Sequence, residues 1–373
     1  DYKMKFKKPI QNIAQLMPDG FSDQYFVDSF KRLYPNMWDD LKKQYEYWHE
    51  KNEFIIKHGN KSRYNFRKPY NFILDCSYGV RSKQRKSNDI KSLTPTEVSQ
   101  REAEILKASN HKHNTQKSKQ SRYLYLVQEI EPSYASVFID KYFKTNDLHE
   151  RLEIIRELSK FKSENIVRFY YKVNAGTRNF SLKTESMQYI QGVGLPFVLR
   201  RKKKGKKNYI DNEIVKNESS PEILMQRLYV NELEKIKKFD VFISHNSKDE
   251  KAIVDLYKNL NKQGLVAYVD WASDKFDLKR QWCNSTTSLI IKERIKQSKI
   301  FIVYFSDNIL SSQWCPWELG YADALGKKIC ILNLTETQIP EFYFSYAKLS
   351  VNGNDFIISE GDKQHPLHVW IKQ

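Results

Sequence analysis

The sequence predicts an α/β protein: a C-terminal domain built on a parallel sheet, preceded by a mixed, helix-rich α+β region. Three observations predict it. From Phe239 onward, short apolar runs of strand length alternate strictly with amphipathic helical segments, the pattern of a parallel sheet covered on both faces. Before Phe239 the apolar residues recur mostly at helical spacing, with a few β-rich runs between. The charge divides at the same place. Residues from Phe239 onward hold 16 Lys/Arg and 16 Asp/Glu, whereas those before it hold 47 and 29, so the whole formal charge of +18 lies in the N-terminal part.

At 373 residues the chain suits about two domains. We expect a basic N-terminal sensor or adaptor domain over 4–219, a connecting helix over 220–237 and a compact domain over 238–373; Asp1 to Lys3 read as a tag remnant ahead of Met4. The basic asymmetry fits a face that attracts a polyanion such as nucleic acid. Solvated lysines in a Lys-rich composition are the plain alternative. Cys76, Cys283, Cys315 and Cys330 form no C-x-x-C pair and have no His at metal spacing, so reduced thiols and no metal site are expected. No apolar run approaches the roughly 18 residues of a membrane span. The start DYKMKFKKPI lacks an apolar secretion core, and a cytoplasmic protein with no membrane partner is expected.

In chain order, Phe21 to Glu53 carries two amphipathic helices: Phe26, Phe30 and Leu33 share one face of the first, Pro35 closes it, and Trp38, Leu41, Tyr45 and Trp48 stripe the second. Asn71 to Val80, NFILDCSYGV, reads as a strand ending in a turn. Arg81 to Arg122 is polar, with eleven Lys/Arg and no aromatic residue, so it reads as a solvated loop around a helix over Pro95 to Ala108, without the stacking residues of a single-strand binder. Tyr123 to Val127 reads as a short strand. A helix from Pro132 carries Tyr134, Val137, Phe138 and Tyr142, and Asp147 with Glu150 forms a capping box for the next, whose Leu152, Ile155 and Leu158 face inward. Asn165 to Val173 and Asn179 to Leu182 read as a hairpin about Asn174-Ala175-Gly176. Arg200 to Lys207, RRKKKGKK, is a charged loop. Ser220 and Pro221 then open a helix through about Lys237, expected to join the domains as a strut.

In the charge-neutral part, strands are expected at Phe239 to Ser244, Val266 to Asp270, Ile300 to Phe305 and Ile329 to Leu332, with a fifth at Lys348 to Val351. Ser247 with Glu250 forms a capping box for a helix bearing Ile253, Leu256, Tyr257 and Leu260 and closed by Gly264; a second helix covers Ser285 to Gln297 and a third ends at Gly326. Ligands of such sheets bind at the carboxyl ends of the strands. There the stretch SSQWCPWELGYADALG, Ser311 to Gly326, sets Glu318 among Trp314, Trp317 and Tyr321. A carboxylate against an aromatic wall suits a site where a cation develops.

Three segments in order, FDVFISHNSKDE, AYVDW and FSDNILSSQWCPWELGYA, resemble a Toll/interleukin-1 receptor (TIR) domain of the kind found in bacterial and plant immune proteins, over about residues 238–373. The resemblance implies a flavodoxin-like fold with a five-stranded parallel sheet. It also implies cleavage of NAD at the nicotinamide–ribose bond, NAD being substrate rather than cofactor, with ADP-ribose or cyclic ADP-ribose as product. By the same resemblance Glu318 is the catalytic residue and Ser244 and His245 line the nucleotide site. The loop over Trp271 to Lys279 closes over the ligand, although it lacks the glycine and proline that would shape it. Asp270 near the end of the second strand and Trp271, Trp314 and Tyr321 complete the expected substrate-binding set. The chemistry suits a lone carboxylate: nicotinamide departs neutral without a general acid, and the difficulty is the oxocarbenium-like ribose left behind. The expected role is an effector of bacterial anti-phage immunity, activated by oligomerisation through the TIR domain, with nucleic acid or another phage-derived trigger at the N-terminal domain. Two other readings stay open on the sequence: a non-catalytic TIR scaffold for protein assembly, and a nucleic-acid-binding sensor.

Overall fold

The computed structural model describes residues 3–86, 93–196, 210, 221–274, 285–335, 337–353 and 355–373. The charged run over 200–207, the cap Ser220, Cys283 and the 275–279 part of the second loop lie outside them. The chain divides into two compact units, one of Asp1–Leu124 with Ile190–Lys206 and one of Tyr125–Tyr189 with Lys207–Gln373. This division differs from the expected domain of 4–219, since residues 125–189 belong with the sheet. Buried side chains hold them there: Glu157 pairs with Lys237, and the Gln128 amide accepts from Asn261 and from the Ala267 N–H.

The first unit is helical among its described residues. Its helices are α1 (Met4–Ala14), α2 (Asp23–Leu33), α3 (Pro35–Lys57), α4 (Pro69–Lys86) and α5 (Pro95–Leu124). Phe6, Phe26, Phe30, Leu41, Phe72 and Ile73 share one core. Pro35 opens α3 rather than merely closing α2, because a missing N–H costs nothing in a first turn. Asn71 to Val80 is helix, not strand. Its buried residues Phe72, Ile73, Ser77 and Arg81 fall on one helical face, and that burial overrides the β propensity of the run. The polar stretch beyond Pro95 continues as α5 to Leu124, leaving no strand at 123–127; Gln128 makes only an isolated bridge with Phe161.

The second unit opens with helices α6 (Ala135–Lys144), α7 (Leu148–Leu158), α8 (Glu164–Gly176) and α9 (Phe180–Gly192), the last of which crosses the division. Asp147 caps α7 through the His149 N–H. The expected hairpin at 165–182 is the helix pair α8 and α9. Ile166, Phe169, Tyr170 and Val173 are buried at i, i+3, i+4 and i+7, and Ser163 caps the start through the Ile166 N–H. Residues 221–237 form two helices, α10 (Pro221–Val230) and α11 (Glu232–Ile236), rather than one. The break falls at Asn231, whose extended backbone lets its amide oxygen cap Leu233 while its NH2 donates to Glu153.

The sheet has seven strands in the order β2-β1-β3-β4-β5-β6-β7. Strands β1 (Phe239–Ser244), β2 (Ala267–Tyr268), β3 (Ser298–Phe305), β4 (Lys328–Asn333) and β5 (Ala347–Asn352) are the five expected, and they pair in parallel. Two further strands, β6 (Asp355–Glu360) and β7 (Lys363–Pro366), add antiparallel to the edge, so the complete sheet is mixed. The segments between are α12 (Glu250–Lys262), a one-turn α13 (Asp270–Ser273), α14 (Ser285–Gln297), α15 (Trp314–Ala324) and a closing α16 (Leu367–Trp370). The expected Ser247–Glu250 box is replaced by Asn246, which caps a short 3-10 turn over Ser247–Asp249 through the Lys248 N–H. Gly264 and Gly326 close α12 and α15 at φ +78° and +63°. Each has the two terminal carbonyls re-bonded by the following N–H groups, as in Leu265 to Leu260 and Lys327 to Ala322. No helix of the described residues is long and apolar enough to cross a membrane.

Candidate active site

Four connections meet at the carboxyl ends of the parallel strands. β1 delivers Ser244 and His245, and β2 runs into α13 with Asp270 and Trp271. β3 is followed by Ser306 to Asn308, and α15 brings Glu318 back over the sheet. The face that α15 buries consists of Cys315, Glu318, Leu319 and Ala322. These positions keep i, i+3, i+4, i+7 spacing, so Glu318 occupies a core position where an apolar side chain is ordinarily found. Pro316 stands in the first turn, where no N–H is needed. The Cys315 N–H bonds the Ser312 hydroxyl.

The structure joins Ser244 and Glu318 directly: the hydroxyl donates to Oε2 at 2.5 Å. Glu318 is 9 % exposed. Burial pushes its carboxyl up to about 8, the Ser244 hydrogen bond acts downward, and the charge of Asp270 adds to the rise. The helix terminus does not offset this, since Glu318 lies a turn inside α15. Asp270 Oδ1 is buried with no hydrogen-bond partner among the described residues. An acceptor left so is available to a ligand hydroxyl. Burial, with Glu318 beside it, also pushes the Cys315 thiol up to about 11, which keeps it a neutral packing group.

His245 and Trp271 form a second pair. The indole N–H donates to His245 Nε2 at 2.9 Å, and Nδ1 lies 3.1 Å from the Ile243 carbonyl. Indole only donates, so Nε2 must accept and Nδ1 carries the proton. The imidazole is thereby fixed with both nitrogens engaged, and it orients the indole.

The aromatic residues of α15 are arranged differently from the expected wall. Trp314 meets Trp317 edge-on at 5.7 Å, and Trp317 lies near-parallel to Tyr321 at 6.2 Å. Lys292 of α14 places its ammonium over Trp317 and Tyr321, at 5.6 and 5.3 Å. Trp317 and Tyr321 thus serve the contact between α14 and α15, and Trp314 packs edge-on against Trp317.

Sequence reasoning missed a clamp between the loops after β1 and β3. Asp249 accepts from Ser306 and from Asn308, both at 2.6 Å, and Asn246 donates to the Asn308 carbonyl at 2.7 Å. The signal was present as polar residues directly after two buried strands, Asn246 to Asp249 and Ser306 to Asn308. Their pairing across the chain was not visible locally. The clamp fixes the loops on either side of Ser244.

Residues 241–356 match the family model described as TIR domain. Over 330 residues the chain is 30% identical to the putative cyclic ADP-D-ribose synthase TIR2 of Cytobacillus dafuensis, covering 88% of this chain and 87% of that protein. The chain belongs to the bacterial TIR-domain family. A second relative, the probable 3' cyclic ADP-D-ribose synthase ThsB' of Bacillus cereus (strain MSX-D12), is 32% identical over 136 residues, 36% of this chain and 66% of that protein. Among solved structures, the TIR domain of the Toll-related receptor TRR-2 from Hydra magnipapillata is 20% identical and covers 30% of this chain and 84% of that chain, with a TM-score of 0.25. The match to TIR2 extends well beyond the TIR domain, so the relationship includes helices that precede it. Within the TIR domain the arrangement offers a buried carboxyl, a hydroxyl on it, an unpartnered carboxylate oxygen beside it and an oriented indole. These are groups able to stabilise a cation and hold hydroxyls.

Proposed function

We propose that this TIR protein cleaves NAD at the bond between nicotinamide and ribose, with Glu318 as the catalytic carboxylate. The observation that carries the reading is the buried Glu318, hydrogen-bonded to Ser244 at the carboxyl ends of the strands, with Asp270 close enough to raise it further. The C1′–N1 bond breaks with its electron pair leaving on nicotinamide, which departs neutral. The positive charge left on the ribose is met by the Glu318 carboxylate in a site of low dielectric, where its stabilisation is largest. Ser244 holds the carboxylate in place. Asp270 Oδ1 accepts a ribose hydroxyl and Trp271 flanks a ring.

The oxocarbenium is then captured. A nucleophile of the same molecule gives a cyclic product, water gives the linear one, and in either case the nucleophile gives up its proton to Glu318 or solvent. Both curated relatives bear names of cyclic ADP-D-ribose synthases, which favours cyclisation here. In free protein Glu318 is largely protonated near pH 7, since its carboxyl lies at about 8. The cationic nicotinamide riboside favours the ionised form, so productive binding is coupled to loss of that proton.

The setting we infer is defence against phage, with activity gained on self-association. Exposed Phe342 and Phe344, on the turn between β4 and β5, suit a surface that is covered on assembly. They equally favour the scaffold reading. Chromatographic identification of products after incubation with NAD separates the readings. A cyclic ADP-ribose that disappears in Glu318→Gln supports catalysis, and intact NAD with an assembled protein assigns a scaffold.

A further inference from the structure

Outside the site, six ionised side chains form a single chain of alternating sign. Lys160 donates to Glu157 at 2.6 Å, Lys237 bridges Glu157 and Glu234 at 2.8 and 2.7 Å, and Arg294 bridges Glu234 and Asp274, both at 2.9 Å. Tyr134 and Tyr268 donate to the two end carboxylates, Glu157 and Asp274. The guanidinium of Arg294 is fully buried, with a second bond to Asp274 and one to Gln297. Burial disfavours all these charges, but the neighbouring cations hold Glu157, Glu234 and Asp274 below the usual carboxylate range. The space among these groups and their neighbours amounts to about 30 Å³, room for a water and none for a substrate.

Such a chain is a poor source of stability. Desolvating paired ions roughly cancels their attraction, and apolar residues of the same volume stabilise as well or better. What ionic geometry supplies is position, and the place it positions is informative. Asp274 terminates the turn that begins at Asp270. Its N–H bonds the Asp270 carbonyl at 3.0 Å, the Ser273 N–H bonds Val269 at 2.7 Å, and the Ser273 hydroxyl accepts from the Val269 N–H at 3.1 Å. One tight turn therefore carries Asp270 and Trp271 at its site end and the last carboxylate of the chain at the other.

We propose that Glu157, Lys237, Glu234 and Arg294 are positioning residues of the NAD site, acting through Asp274 on the turn that presents Asp270 and Trp271. Helices α7 and α11, which precede the TIR domain in sequence, thereby become part of what sets the site. A shift of α7 moves Glu157, and the ionic chain hands that shift to the turn. The inference rests on the NAD reading for its kinetic consequence and on geometry alone for its structural one.

Two variants of the full chain test it: Glu157→Gln, which cuts the chain with one charge lost, and the double variant Glu157→Gln with Lys237→Met, which cuts it while keeping the balance of charge. Hydrogen–deuterium exchange is followed in peptides over 267–274, with β3 and β4 as internal references. The expected result in a variant that folds is exchange faster by roughly 2- to 30-fold over 267–274, the range of ordinary coupling energies, with the references unchanged. KM for NAD should rise over the same range while kcat changes less, as expected when substrate positioning is loosened. Unchanged exchange over 267–274 in the folded double variant overturns the proposal. Acceleration spread equally over β3 and β4 overturns it too, because it marks a merely structural role. If the wild-type chain leaves NAD intact, the NAD reading fails while the exchange result still decides the coupling.

Discussion

Glu318 is the residue on which most depends, and its protonation makes its role measurable. Replacement by Gln keeps the shape and one acceptor for Ser244 but removes the charge, so NAD cleavage should fall by at least about 100-fold, the scale of one electrostatic contact to a transition state. Circular dichroism should show the variant folded. The raised carboxyl gives the pH dependence its sign. Only the ionised form meets a developing cation, so kcat/KM should climb with pH and level off above about 8. Stability runs the other way. A carboxyl raised from its ordinary 4.5 to about 8 contributes fully below pH 4.5 and loses that contribution as pH rises through 8. Glu318→Gln does not ionise, so its unfolding free energy should gain on wild type between pH 5 and 9 by on the order of a few kcal/mol, read as a melting temperature that rises relative to wild type over that range. Ser244→Ala removes the bond that draws the carboxyl downward, and the pH–rate profile should move to higher pH.

At the scale of the element, termini separate what could be read from what could not. Gly264 and Gly326 were legible because a left-handed residue after a helix needs glycine. Gly326→Ala meets no neighbouring atom, so its cost should be backbone strain alone, about 1 kcal/mol by denaturant titration. The parallel strands were legible for a related reason, being short apolar runs bounded by caps. Sequences such as Asn165 to Val173 and Asn71 to Val80 misled because β-branched and aromatic residues served a buried helical face, and only the helices packed against them decide between the two forms. Strands β6 and β7 carry weak local pattern and exist through pairing, β6 with β5 and β7 with β6. At the candidate site, the motifs singled out Glu318, Ser244 and Trp271, and the structure joins the first two by a hydrogen bond and the third to His245. The Asp249–Asn308 clamp could not be so singled out, since its partners lie 59 residues apart. The break at Asn231 is a local event with a distant partner: Asn231→Ala removes both the cap on Leu233 and the bond to Glu153, and should cost about 1 kcal/mol in the same titration.

At the scale of the molecule, the β2 edge of the sheet is covered rather than open. The Gln128 side chain, arriving from the segment before α6, accepts from Ala267 N–H at 3.3 Å and from Asn261 at 2.8 Å. Leu126 packs on the same core, and Lys258 sits 4.4 Å from the Tyr125 ring centre. Residues upstream of the TIR domain thus finish its edge, the means by which sheets avoid pairing with other chains. Gln128→Leu leaves two buried donors without that acceptor, so urea unfolding should lose about 1–3 kcal/mol for each donor left bare. Size-exclusion chromatography should show more self-association as the edge is uncovered.

The alternating ion chain from Lys160 to Asp274 also constrains how this protein is able to diverge. Three cations face three anions around a space no larger than a water, and a lone neutral replacement strands a charge in the interior, a loss of roughly 3–5 kcal/mol that few proteins tolerate. Descendants must therefore exchange these residues as opposite-signed partners or keep them together. The prediction for an alignment of relatives is substitution in couples: where position 237 lacks a cation, position 157 or 234 should lack its anion in the same sequence.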